Sequence, residues 1–213
     1  MAKRRVSKKK VSIAVILLIL IIAGAVGIYL YFNQGSDAPK PVKVESVDTI
    51  EGYDYTLSSN ATKYYKSLFK ELKNVLESDD VDEAKYADLV SKLFVADFYN
   101  LDNKINKNDI GGVQFVYKDF RSDFEKLATT SMYKSVENNL YNDRNQNLPV
   151  VTNVSTEAKD SEEFKYGDNT DDKAYKIGFE ITYQEDLGYQ SKGTLTLIHN
   201  DKKIEIAALD DAE

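Results

Sequence analysis

The stretch YKIGFEITYQ, residues 175–184, decides the fold class: Tyr175, Ile177, Phe179, Ile181 and Tyr183 alternate with Lys176, Gly178, Glu180, Thr182 and Gln184. Successive side chains of a strand point to opposite faces, so a sustained period of two describes a strand with one apolar and one wetter face. Downstream, Leu187-Gly188 predicts a turn into a strand over Gln190–His199, and Asn200-Asp201 a turn into Lys203–Leu209. Upstream, Pro149 opens a strand through Val150, Val151 and Val154, and Ser161–Asp172 reads as a polar, acidic connection. Consecutive strands joined by tight turns make an antiparallel sheet of about four strands.

Before Leu148 the period is that of a helix. Tyr65, Leu68, Phe69, Leu72, Val75 and Leu76 share one helical face, with Ser58 or Ser59 as the cap of a helix that begins near Thr56. Ser78-Asp79-Asp80 closes it, and a second stripe follows through Tyr86, Leu89, Val90, Leu93, Phe94 and Phe98. Leu101–Gly112, rich in Asn, Lys and Asp, reads as irregular. A third helix is expected over Lys118–Leu140, with Phe120, Phe124, Leu127, Ala128, Val136 and Leu140 along one side, and Val113–Tyr117 as a short strand or its first turn. Helices followed by a sheet whose apolar face closes over them make an α+β domain over residues 56–209, trailed by an acidic tail at 210–213.

The N-terminus has a different character. Val11 to Phe32 contains no charged residue and follows Lys3, Arg4, Arg5, Lys8, Lys9 and Lys10 in the basic segment 1–10. As a helix the run measures about 33 Å, enough for the hydrocarbon core of a bilayer. A cleaved signal peptide is the alternative, with Ala23-Gly24-Ala25 as its site, but apolar residues continue past Ala25 through Phe32. Residues 11–32 are therefore expected to be a transmembrane helix. The basic segment predicts a cytoplasmic N-terminus and an extracellular C-terminal domain at the cell membrane. Residues 33–55, with Pro39 and Pro41, read as an extracytoplasmic linker, and an edge strand over Val42–Ile50 is the alternative.

The chain carries 28 basic and 35 acidic residues for a net charge of −7, and all the acids lie beyond Phe32. An acidic ectodomain repels nucleic acid, so no nucleic-acid partner is expected. Without cysteine there are no disulfides, thiol chemistry or Cys-based metal sites. Lys, Asn, Tyr and Ile are favoured as they are in AT-rich genomes, which suggests a low-GC Gram-positive source. The order of an anchor, three helices and antiparallel strands resembles the nuclear-transport-factor-like or cystatin-like domains of conjugation (type IV secretion) scaffold proteins and of other single-pass proteins of such bacteria. The resemblance is topological, and it implies a scaffold role in a secretion or conjugation assembly.

Reactive constellations are scarce. His199 is the single histidine, beside a turn where exposure is expected. The acidic groups Asp79/Asp80/Asp82/Glu83 and Asp168/Asp171/Asp172 lack calcium-loop spacing and read as solvated turns, and no phosphate-loop pattern surrounds Gly111-Gly112. No cofactor, metal or catalytic residue is therefore expected. Asp97 falls beside the apolar face between Phe94 and Phe98 and needs a partner if buried; Arg121, one of two arginines beyond the N-terminus, is the expected one. Asp97 and Arg121 thus mark the one pocket at which a small-ligand-binding or enzymatic domain would act. Tyr64, Tyr99 and Tyr133, among 15 tyrosines, suggest a surface for envelope proteins or self-association.

Overall fold

In the computed structural model, which describes residues 40–211, the alternating stretch lies inside a strand of 15 residues, Asn169–Tyr183. In chain order the elements are β1 (Ser46–Ile50), β2 (Tyr55–Ser58), α1 (Lys63–Leu76), α2 (Glu83–Phe98), α3 (Arg121–Thr130), β3 (Val151–Ala158), β4 (Glu162–Tyr166), β5 (Asn169–Tyr183), β6 (Lys192–Asn200) and β7 (Lys203–Asp211). β1 and β2 pair as a separate antiparallel hairpin. The other strands form a five-stranded antiparallel sheet in the order β3-β5-β6-β7, with β4 paired to the first half of β5.

Alternation sorts the sheet into two faces. Ile177, Phe179 and Ile181 of β5, with Leu195 and Leu197 of β6 and Ile204 and Ile206 of β7, join the core that α1 and α2 complete. α1 begins where Thr62 accepts a hydrogen bond from the Tyr65 N–H at 3.1 Å, and α2 where Asp82 accepts from the Lys85 N–H at 2.9 Å. α2 is buried on almost every side, through Ala87, Ser91, Val95 and Ala96 as well as its predicted stripe, because α1 and the sheet pack on opposite faces of it.

Several expectations are corrected. The expected architecture opened with a transmembrane helix; among the described residues no helix is long and apolar enough to cross a membrane, and Val11–Phe32 lies outside them. Nor is the order three helices followed by one sheet of about four strands. A hairpin precedes the helices, placing Ile50 and Tyr55 in the core where a linker was expected, and there are two sheets. The turn Glu51–Asp54 that closes this hairpin uses Gly52 at φ 75° and Asp54 at φ 57°.

The third helix is less than half the expected length. Thr129, Thr130 and Ser131 turn their hydroxyls back onto the carbonyls of Glu125, Lys126 and Leu127 at 2.8, 3.0 and 2.6 Å, which loosens the last turn. Tyr133 and Val136 are then buried from a non-helical segment. The acidic connection Ser161–Asp172 contains β4, turned into β5 at Gly167 with φ 57°. Its Phe164 and Tyr166 pack with Tyr117, Ala174 and Ile198 in a second, smaller cluster on the other face of the sheet.

Candidate functional site

Asp97 and Arg121 do not meet. The carboxylate of Asp97 is paired with the buried ammonium of Lys104 through one oxygen and accepts the Gly112 N–H at 2.7 Å through the other. Arg121 pairs instead with Glu205 of β7 at 3.3 Å, and it also donates to the carbonyls of Val116 at 2.8 Å and Gln114 at 3.2 Å. Glu205 is itself buried and takes a second hydrogen bond, at 2.6 Å, from Asn200. Each charge thus has a partner that the linear spacing did not indicate.

The geometry around Asp97 is that of a staple. A Cβ on Gly111 would stand 2.2 Å from the Asp97 carbonyl oxygen, and one on Gly112 would stand 2.6 Å from the Phe94 ring. Only glycine therefore lets the loop lie against the end of α2, and Gly112 adds a φ of 76°. Tyr133 closes the arrangement: its hydroxyl donates to the Phe98 carbonyl at 2.6 Å and accepts from the Gly111 N–H at 3.1 Å. A cleft of about 200 Å³ opens beside Asp97, Tyr65, Asn103 and Gln114. That is below the 300–1,000 Å³ usual for ligand sites. Gln114 spans it as a substitute strand, its side-chain oxygen accepting from the Thr56 N–H at 2.8 Å and its nitrogen donating to the Thr56 carbonyl at 3.1 Å.

Aromatic rings fill the space between helices and sheet. Phe98 lies within 5.0–5.5 Å of the ring centres of Phe94, Tyr99, Phe124 and Tyr133. The hydroxyls of Tyr55 and Tyr86 share a hydrogen bond of 2.7 Å, and the Ile204 N–H donates to Tyr86 at 3.2 Å. Burial pushes these phenols up, Tyr86 to about 12 and Tyr55, Tyr65 and Tyr133 well above the ordinary value, so they stay neutral hydroxyls. Tyr99 and Tyr133 are buried, which removes them from the tyrosine surface expected with Tyr64. Tyr64 itself bonds both backbone groups of Val154, at 2.8 and 3.3 Å.

His199 lies on β6 and is tied to Asp171 of β5. One carboxylate oxygen of Asp171 takes the His199 backbone N–H at 2.7 Å and meets Nδ1 at 2.8 Å, so the acidic run near Asp168 is not wholly a solvated turn. Burial would raise the Asp171 carboxyl, but the hydrogen bonds from His199 and Lys173 outweigh it and hold the group below the usual range. Glu83 stands 4.0 Å from Nε2, and Tyr175 packs against the ring. Among the described residues no group of histidine and carboxylate side chains is arranged to hold a metal.

A broad concavity lies on the face of the sheet turned away from the helices. It is a trough of about 740 Å³ whose floor includes Gly178 and Thr194 and whose walls carry Lys159, Lys176, Lys192 and Glu180. Lys192 pairs with Glu180 at 3.1 Å, Lys176 with Glu162 at 2.9 Å, and Lys159 crosses Gly178 to bond the Thr194 hydroxyl at 3.2 Å. Such a surface of mixed charge suits a polar partner better than a single ionic ligand. Sequence reasoning missed Lys104 and Glu205, and took Asp171 for a solvated turn residue rather than the partner of His199; the signal available was only that buried charges need partners. No family model, curated protein or solved structure matches the chain.

Proposed function

We propose that the protein is a membrane-anchored binding or scaffold protein of the bacterial cell envelope, held at the membrane by the apolar segment Val11–Phe32 with its folded part outside. The observation that supports this reading is the filled interior. Aromatic side chains occupy the space where a ligand would enter, and every buried side-chain nitrogen or oxygen among the described residues has a partner. Recognition therefore falls to the surface, where the sheet offers a polar trough and an open edge. A domain that binds through its surface near a membrane is suited to hold other envelope proteins.

The small-ligand alternative needs Asp97 free to act on a bound molecule. Both of its oxygens are engaged with Lys104 and Gly112, in a cleft of about 200 Å³, and this favours the scaffold reading. Crosslinking the intact protein in its own membrane, followed by capture, tests the proposal. Reproducible recovery of an envelope protein is the expected result; recovery of the chain alone would contradict it.

A further inference from the structure

β7 is a terminal strand of the five-stranded sheet, and its outer edge is only partly covered. Val116 pairs with Ile206 in parallel register, and the Tyr117 N–H donates to the Ile206 carbonyl at 2.8 Å. The chain then turns into the short helical turn Lys118–Phe120 and α3, leaving the ladder position beside Ala207–Asp211. Among the described residues no other segment pairs with that edge. The parallel ladder thus stops after one bridge, at Tyr117.

Next to this edge lies an apolar groove of about 250 Å³ between α3 and β7, lined by Phe94, Phe120, Phe124, Leu127 and Leu209. Phe120, Phe124 and Leu127 follow one another at helical spacing along its wall, and Leu127 is 67% exposed, the most exposed large apolar residue of the described chain. A strand added to β7 would lie roughly 4.8 Å from it, with alternate side chains on alternate faces. One of those side chains would enter the groove. This is the geometry of strand addition, in which backbone hydrogen bonds supply affinity and a pocket for alternate side chains supplies specificity.

Charge selects the occupant. Asp123 is the one charged residue of the groove wall, and Asp210 and Asp211 stand at the open end of β7. Lys126 pairs with Asp123 at 3.0 Å, but both side chains are largely exposed, so the pair is weak and can be exchanged. A second copy pairing edge to edge in parallel register would set its own Asp210 and Asp211 beside these, and like charges across strands repel. We propose that the β7 edge is a strand-addition site for an extended segment of another protein, with an apolar anchor flanked by lysine or arginine. The proposal rests on the scaffold reading and names the partner's chemistry.

The test uses the full-length protein and a labelled, capped heptapeptide, Lys-Val-Lys-Leu-Lys-Val-Lys, with a glutamate version as its control. Saturable binding of the lysine peptide is expected, weakened about tenfold or more by Leu127→Lys and several-fold by the double change Asp210→Asn and Asp211→Asn. Leu127→Lys lies on the surface, and an unchanged unfolding midpoint verifies that it folds. Equal binding by Leu127→Lys, or binding of the glutamate peptide as tightly as the lysine one, would overturn the inference. So would dimerisation of the protein alone that Leu127→Lys abolishes, since it would make a second copy the occupant. If the intact protein captures an envelope partner but does not bind the peptide, this inference fails and the scaffold reading stands. Peptide binding without any captured partner does the reverse.

Discussion

The two ends of the core differ in how much of their bonding capacity is already used. At the C-terminal end of α2, Asp97, Lys104, Gly111, Gly112 and Tyr133 form a closed set in which each polar group answers another. At the β7 edge a ladder stops after one parallel bridge, and an apolar groove stays open beside Leu127. A closed network holds the fold, and an unfinished one is available to a partner. Substitutions should therefore separate cleanly, with stability lost at the first place and binding lost at the second.

The largest effect is expected from Asp97→Ala. It leaves the ammonium of Lys104, 5% exposed, without its counter-charge, and removing one partner of a buried pair costs about 3–5 kcal/mol. Denaturant unfolding would show the midpoint fall; a change below about 1 kcal/mol would mean that Lys104 finds water instead. Phe98→Ala, in the middle of the ring cluster, is expected to cost about 3–5 kcal/mol as well. Tyr86→Phe should cost less, about 1–3 kcal/mol, because it takes the Tyr86 hydroxyl from the Ile204 N–H and leaves the Tyr55 hydroxyl only its longer contact, 3.5 Å, with the Ile204 carbonyl. Leu127→Lys, by contrast, should stay within about 0.5 kcal/mol of the parent while losing the peptide.

The smallest effects depend on pH, and their signs differ. The depressed carboxyl of Asp171 contributes stability that is complete above its ordinary value of 3.8 and is lost as pH falls through the lower folded-state value. The raised phenols act oppositely. Stability from Tyr86 is complete below the ordinary value of 10.0 and drains away as pH climbs toward about 12. Unfolding free energy measured across pH should therefore drop at both ends. Asp171→Asn should flatten the acid limb alone, and an unaltered limb would show that the His199 contact does not stabilise the fold.

Much of the fold was legible in the sequence where one face of an element is buried and the other wet. The stripe of α1, the strand Tyr175–Tyr183 and the turns at Gly188 and Asp201 follow from periodicity and turn chemistry, and both turn residues have positive φ. Periodicity fails where tertiary contacts set the burial. Ile50 and Tyr55 belong to a short hairpin within a polar stretch, and Phe164 and Tyr166 alternate with charges over too few residues to stand out. Tyr133 and Val136 keep an apolar spacing that looks helical, although hydroxyl groups end α3 before them. Partner choice was the least legible feature. Asp97 was seen to need a cation, but Lys104 reaches it through a loop whose path depends on two glycines.

The most direct test places a photo-crosslinking amino acid at position 127 of the intact protein in its own membrane, with position 47 as a control. Val47, on β1, is 57% exposed, so both sites meet solvent, and they differ in what surrounds them. An adduct with another protein is expected from position 127, diminished when Asp210 and Asp211 are neutralised, and no comparable adduct from position 47. Equal labelling from both positions, or no adduct beyond the chain itself, would contradict that expectation.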